Sequence, residues 1–170
     1  VDAAYVYDFS GHITQAGQTD PQVLWPISVG DSYSGRLIYT PETAFVEQGT
    51  EAYYSNVGWV ELMIGQAFFF VGPCRMSGGG ICWDTGAINN LLPSHYGFSE
   101  PNFLFSTISW PSNTLPSADL VRTALANGFW EMEWVSLQND ELNTSWAWGS
   151  VSAVRMRSVY EPATLLLMAL

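Results

Sequence analysis

Apolar and polar residues alternate with a period of two along most of this chain, and helical periodicity is nearly absent. Residues 5–13 form a first predicted strand with Tyr5, Tyr7 and Phe9 on one face. Residues 27–40 hold two strand segments punctuated at Gly30-Asp31, and Pro41 opens a loop. Residues 59–64 and 66–71 read as two strands, or one strand bent at Gly65, followed by a loop over 73–80. Further strands are predicted over 81–88 and 103–110. Residues 129–137 and 146–156 look like a closing pair joined by a polar hairpin loop, 138–143. A single helix is predicted over 117–126, with Ser117 as N-cap, Asp119 in the first turn and Asn127-Gly128 as the stop. Roughly eight to ten strands at this spacing predict an all-β fold, an antiparallel β-sandwich or jelly roll with one short helix.

The 170 residues suffice for one domain with a core of its own. Formal charge is −11, with five arginines and no lysine, so the surface repels phosphate backbones and nucleic acid is excluded as a natural partner. Charged residues are 12% of the chain and aromatics 15%, a balance typical of β-rich exported domains. The first residue is Val1, as expected of a protein exported with a cleaved signal peptide. Cys74 and Cys82 are the only cysteines, and their spacing fits one disulfide closing a loop between neighbouring strands in an oxidising compartment. Such a loop contributes about 2 to 3 kcal/mol. A zinc site would need two more ligands, and His12 and His95 lack ligand spacing, so no metal is expected.

The chain ends in Val159-Tyr160-Glu161-Pro162-Ala163-Thr164 and the apolar run 165–170. This end resembles the start of the sorting signal of PEP-CTERM proteins, a bacterial exported family. There a Val-Pro-Glu-Pro-Ala/Ser-Thr element leads into a membrane helix and a basic cluster, and an exosortase processes the signal. Val159, Glu161, Pro162, Ala163 and Thr164 fit, and Tyr160 stands where the family has its first proline. Three internal elements resemble the same family: Phe9-Ser10-Gly11; Val29-Gly30-Asp31-Ser32-Tyr33-Ser34-Gly35 with Tyr39-Thr40; and Trp148-Gly149-Ser150-Val151. The resemblance implies export and a life at the cell surface or in extracellular matrix, without fixing an activity. It divides the chain into a β-sandwich domain, 1–158, and a sorting-signal remnant, 159–170. A membrane-crossing helix needs about 20 apolar residues, so any membrane contact is expected to be transient, through a helix beyond Leu170. The apolar end is expected to pack against protein, its own or a neighbour's.

Glu131 and Glu133 are the sharpest catalytic candidates, because residues two apart on a strand share a face and two carboxylates can flank a glycosidic bond. Trp130 and Trp134 project to the other face, which favours a polar strand face over a core face of Trp130, Met132 and Trp134. Gly30-Asp31-Ser32 lacks the downstream Asp-x-x-His of GDS-type esterases and reads as a turn. Asp84, Asp140 and Glu141 lack calcium-loop spacing. Trp146 and Trp148 share a face at period two and form a possible sugar platform. The resulting expectation is a non-enzymatic, cofactor-free structural protein of the cell surface or biofilm matrix. It would associate with itself, as a filament subunit joined by strand addition from residues 1–9 or 151–170, or with matrix polysaccharide. The alternative is a carbohydrate-binding module of the β-sandwich type.

Overall fold

The computed structural model describes residues 4–18, 27–41, 45–48, 51–54, 57–71, 74–77, 80–83, 88–90, 97–106, 115–126, 128–138 and 141–159. The fold is all-β and antiparallel, with one described helix. Twelve strands follow the order β3-β4-β7-β8-β10-β11-β12-β1-β2-β5-β6-β9. At its centre β1 (Ala4–Gln18) lies between β12 (Glu141–Val159) and β2 (Ser32–Tyr39). Outward from β2 come β5 (Gly58–Ile64), β6 (Ala67–Val71) and β9 (Ile88–Asn90). On the other side lie β11 (Phe129–Gln138), β10 (Gly97–Ser106), β8 (Gly80–Trp83), β7 (Arg75–Ser77), β4 (Glu51–Tyr54) and β3 (Phe45–Gln48).

The pairings form one continuous order, and a long bent hairpin accounts for its course. β5 and β6 pair through the Gly65-Gln66 turn, and farther along the same two chain segments β4 pairs with β7. The join is held by the Cys74 amide donating to the Gly58 carbonyl at 2.7 Å and the Val57 amide donating to the Cys74 carbonyl at 3.0 Å. Gly58 adopts a φ of 137°, where its missing side chain is required. The hairpin therefore belongs to both flanks of the order, and the sheet curls round a shared interior.

Among the described residues that interior is filled by the apolar half of the alternation: Tyr7, Phe9, Ile13, Leu37, Tyr39, Leu62, Trp130 and Met132 are buried in one cluster. Helix α1 (Ala118–Ala126) packs on β12 and β1, burying Val121, Ala124 and Leu125. Its N-terminus matches expectation, since Ser117 Oγ accepts the Leu120 amide at 3.2 Å. Two core tyrosines tether the segment leading into it: Tyr7 donates to the Ala118 carbonyl at 2.9 Å and Tyr39 to the Pro116 carbonyl at 2.7 Å. Burial in this low-dielectric interior raises the phenol pKa of both above the ordinary value.

Four glycines stand directly across the ladder from an aromatic residue: Gly35 from Phe9, Gly11 from Tyr33, Gly149 from Trp130 and Gly17 from Trp146. At Gly35, Gly149 and Gly17 the aromatic ring occupies the space a Cβ would need, and at Gly11 the Ser150 carbonyl and then the Tyr33 hydroxyl occupy it. Three of these pairs face the core. The fourth faces outward.

Several boundaries differ from the sequence reading. β3 and β4 arise where no strand was expected, and β7 lies within the expected 73–80 loop. Residues 27–31 form a turn ahead of β2 in place of a first strand segment, with Asp31 Oδ2 accepting the Ser28 amide at 2.7 Å. Of the strand expected over 81–88, residues 81–83 lie in β8 and Ile88 opens β9, with 84–87 outside the described residues, and β10 begins earlier than expected. The closing hairpin extends to Gln138 and resumes at Glu141, so its loop is shorter than predicted. β12 reaches Val159, the first residue assigned to the sorting-signal remnant. Glu161, Pro162, Ala163 and Thr164 lie outside the described residues.

Candidate functional site

Period-two alternation forces each strand to present a second, outward row, and register decides which outward residues meet. On β11 the inward set is Trp130 and Met132, both buried, while Glu131 is half-buried and Glu133 exposed on the outer face. On β12 Ser145, Ala147 and Gly149 point inward, and Trp146 and Trp148 stand outward and half-buried. The ladder sets Glu131 directly across from Trp148, and Glu133 directly across from Trp146. Trp130 and Met132 form the core face expected of β11, and the indoles beside the carboxylates are those of Trp146 and Trp148. The indoles come from the neighbouring strand.

The two rings lie 5.9 Å apart between centroids and are inclined by 57°. Gly17 of β1 is opposite Trp146 and its missing side chain leaves room for the indole to lie over the β1 backbone. Gln15 is opposite Trp148, and Thr14 Oγ1 donates to the Trp148 carbonyl at 3.2 Å. A register shift between Ile13 and Gln15 restores the outward row of β1 beside the tryptophans. Neither glutamate forms an ion pair among the described residues. The patch thus offers two aromatic faces, two carboxylate acceptors and one carboxamide on an open sheet surface. Those groups match the axial C–H faces and equatorial hydroxyls of a sugar.

Farther along the same outer face, charges alternate across four strands. Arg155 is opposite Asp8, Asp8 opposite Arg36, and Arg36 opposite Glu61. Arg36 Nε donates to Asp8 Oδ1 at 2.7 Å, its Nη1 lies 3.8 Å from Glu61 Oε2, and Arg157 Nε lies 3.5 Å from Asp8 Oδ2. The hydrogen bond that Arg36 donates to Asp8, and then the Asp8 charge, raise the Arg36 pKa. Such half-exposed pairs contribute under about 1 kcal/mol each, and their main effect is to orient side chains.

Cys74 is fully buried and its thiol is not free. β7 and β8 pair antiparallel, and a register shift leaves Cys82 as the extra residue of β8 between the partners of Arg75 and Met76. Its side chain lies outside the described residues. So do those of Trp134 and Glu141, along with Trp25, Asp84, His95, Trp110 and Asp140 in full. No cluster of potential metal ligands occurs among the described residues, and no described helix is long and apolar enough to cross a membrane. Compared with protein-family models, curated proteins and solved structures, the chain matches none.

Sequence reasoning singled out Trp146, Trp148, Glu131 and Glu133 but did not join them. It missed Gln15 and Arg155, for which only the pairing of β1 with β12 carries a signal.

Proposed function

We propose that this chain is a non-catalytic polysaccharide-binding module of an exported protein that works at the cell surface or in extracellular matrix. The observation that carries the reading is the double cross-strand match of Glu131 with Trp148 and Glu133 with Trp146. Aromatic faces supply apolar contact to sugar rings, and adjacent carboxylates accept the hydroxyl donors at the ring edges. The 57° inclination of the indoles suits a glycan chain that twists as it passes over the sheet, because a flat crystalline array of chains needs coplanar rings. The export half of the reading rests on the PEP-CTERM resemblance and on a Cys74–Cys82 disulfide. Burial of a non-free Cys74 and the adjacency of β7 and β8 support that bond.

The test is binding of soluble β-glucans, xylans and matrix polysaccharides by affinity electrophoresis and calorimetry. Trp146→Ala and Trp148→Ala are each expected to weaken binding about tenfold, and the double variant to abolish it. Wild-type affinity retained in the double variant removes the platform from this role. A Glu131→Gln, Glu133→Gln chain is expected to bind more weakly while releasing no reducing sugar, as the parent releases none. Turnover by the parent that the double Gln variant loses would make it a glycosidase instead.

Self-assembly by strand addition is a second reading, favoured by one observation: beyond Val151, β12 pairs only with β1 among the described strands. Residues 152–159 thus keep one unpaired ladder edge. The donor expected at the N-terminus is otherwise engaged, because residues 5–9 already lie between β12 and β2. Sedimentation across a concentration series separates the readings, a constant monomer mass favouring the module and a ladder of masses the subunit.

A further inference from the structure

The outer face carries a second feature, a trough of about 510 Å³ running across β12, β1, β2 and β5. Its floor exists because three small residues fall in register on adjacent strands: Ala153 is opposite Ser10, and Ser10 opposite Ser34. The alternating charges of Arg155, Asp8, Arg36 and Glu61 line one side. Met63, 47% exposed, and Phe68, its partner on β6, close the far end. The register shift between Ser10 and Gly11 turns the outward row of β12 from Ser150 to Ala153, aligning this row with the floor.

We infer that this trough is a binding subsite for a carboxylated sugar residue, a uronic acid, with Arg155 as the anion partner. The chemistry of the lining selects that class. Arg36 is occupied by Asp8 and Glu61, and Arg157 by Asp8, whereas Arg155 lines the trough with no ion-pair partner among the described residues. Its planar guanidinium fork matches a carboxylate. The same wall holds the carboxylates of Asp8 and Glu61, whose remaining lone pairs can accept from hydroxyls, and the floor holds two serine hydroxyls that donate or accept. A uronic acid carries its carboxylate and its hydroxyls on one ring. Charge points the same way: the chain has net charge −11, yet this small area holds Arg36, Arg155 and Arg157, three of its five arginines. The trough shares strands β1 and β12 with the tryptophan pair. Trp148 and Arg155 are about 20 Å apart along β12, the reach of a short oligosaccharide. The inference takes its ligand class from the proposed saccharide binding and adds a separate site to it.

Calorimetry with a glucuronic-acid-containing oligosaccharide and its carboxyl-reduced counterpart tests this, since the two differ only in the anion. The parent is expected to bind the carboxylated form about tenfold more tightly, with the difference shrinking as salt rises. Arg155→Gln is expected to erase the ratio while leaving affinity for the reduced form unchanged, and Arg155→Lys to restore part of it. Arg155 is exposed, so the fold survives the change, and unchanged far-ultraviolet dichroism checks this. Equal affinity for the two forms in the parent, or a preference that persists in Arg155→Gln, overturns the inference. So does equally tight binding of a glutamate hexapeptide, which would make the trough a peptide site. The proposed platform is read separately, from binding of a neutral glycan in the Trp146→Ala, Trp148→Ala chain. No carboxylate preference in the parent, together with neutral-glycan binding that the double tryptophan variant loses, sinks the trough alone.

Discussion

Trp130 and Trp148 lie on adjacent strands, and their different surroundings separate a core aromatic from a surface one. Trp130 is wholly buried on the concave side, over Gly149 and edge-on to Tyr33 with centroids 5.1 Å apart and an angle of 87°. Trp148 stands on the convex side beside Trp146, half in water, with Glu131 across the ladder. Composition alone makes the two equivalent. Parity along the strand assigns one to the core and the other to the surface, and register then supplies the second with polar neighbours. Two half-buried indoles side by side on the outer face bury less apolar area than Trp130 does.

The largest break between the two faces is expected from truncation. Trp130→Ala should cost about 3 to 5 kcal/mol in denaturant unfolding, because the cavity it leaves is lined on all sides, whereas Trp148→Ala should cost under about 1 kcal/mol and act on affinity instead. Comparable losses from both would show that the outer pair is part of the core.

Alkaline titration sharpens the contrast at intermediate size. Burial pushes the Tyr33 hydroxyl, which donates to the Ser150 carbonyl at 2.8 Å, up to about 12 from an ordinary 10.0. Burial raises Tyr7 and Tyr39 further. A folded-state pKa above the unfolded one means that the unfolded chain gives up its proton first. The stability these phenols contribute is therefore complete below about pH 10 and lost as pH climbs through 10 to 12 and beyond. Ultraviolet titration of phenolate should show these three residues ionising together with unfolding. Ionisation near pH 10 with the fold intact would place them in contact with water.

The smallest effect is expected at Gly17. Alanine there forces the Trp146 indole to swing off the β1 backbone, and since that ring borders solvent it can move at a cost under about 1 kcal/mol. Glycan affinity should fall several-fold with the melting temperature nearly unchanged. The matching change at Gly149, beneath the immobile Trp130, should reduce stability markedly. An equal stability loss at both positions would erase the distinction between the faces.

Much of the architecture was legible in the residues. Alternation over 5–13 places Tyr7 and Phe9 inside, and the same parity separates Glu131 and Glu133 from Trp130 and Met132. Ser117 caps the helix at the position its hydroxyl favours, and the Gly128 amide donates to the Leu125 carbonyl at 3.2 Å just beyond the helix end. β3 and β4 escaped because four residues each are too few for a period to emerge, and β7 because Arg75-Met76-Ser77 is shorter still. The joining of β4 to β7 and β5 to β6 in one bent hairpin rests on backbone bonds at Val57, Gly58 and Cys74 that no local pattern announces.

What the chain determined by itself is the sorting of side chains between two faces, since tetrahedral geometry at each Cα makes that sorting local. Which outward residues become neighbours was decided only by tertiary structure. β1 and β12 stand more than a hundred residues apart in sequence, and the offset of their ladder, with its two register shifts, depends on how the whole sheet closes over its core. A one-residue slip there would leave every hydrophobic position misplaced, so core packing fixes the register, and the outer-face pairings of Trp148 with Glu131 and of Arg155 with Asp8 follow from it.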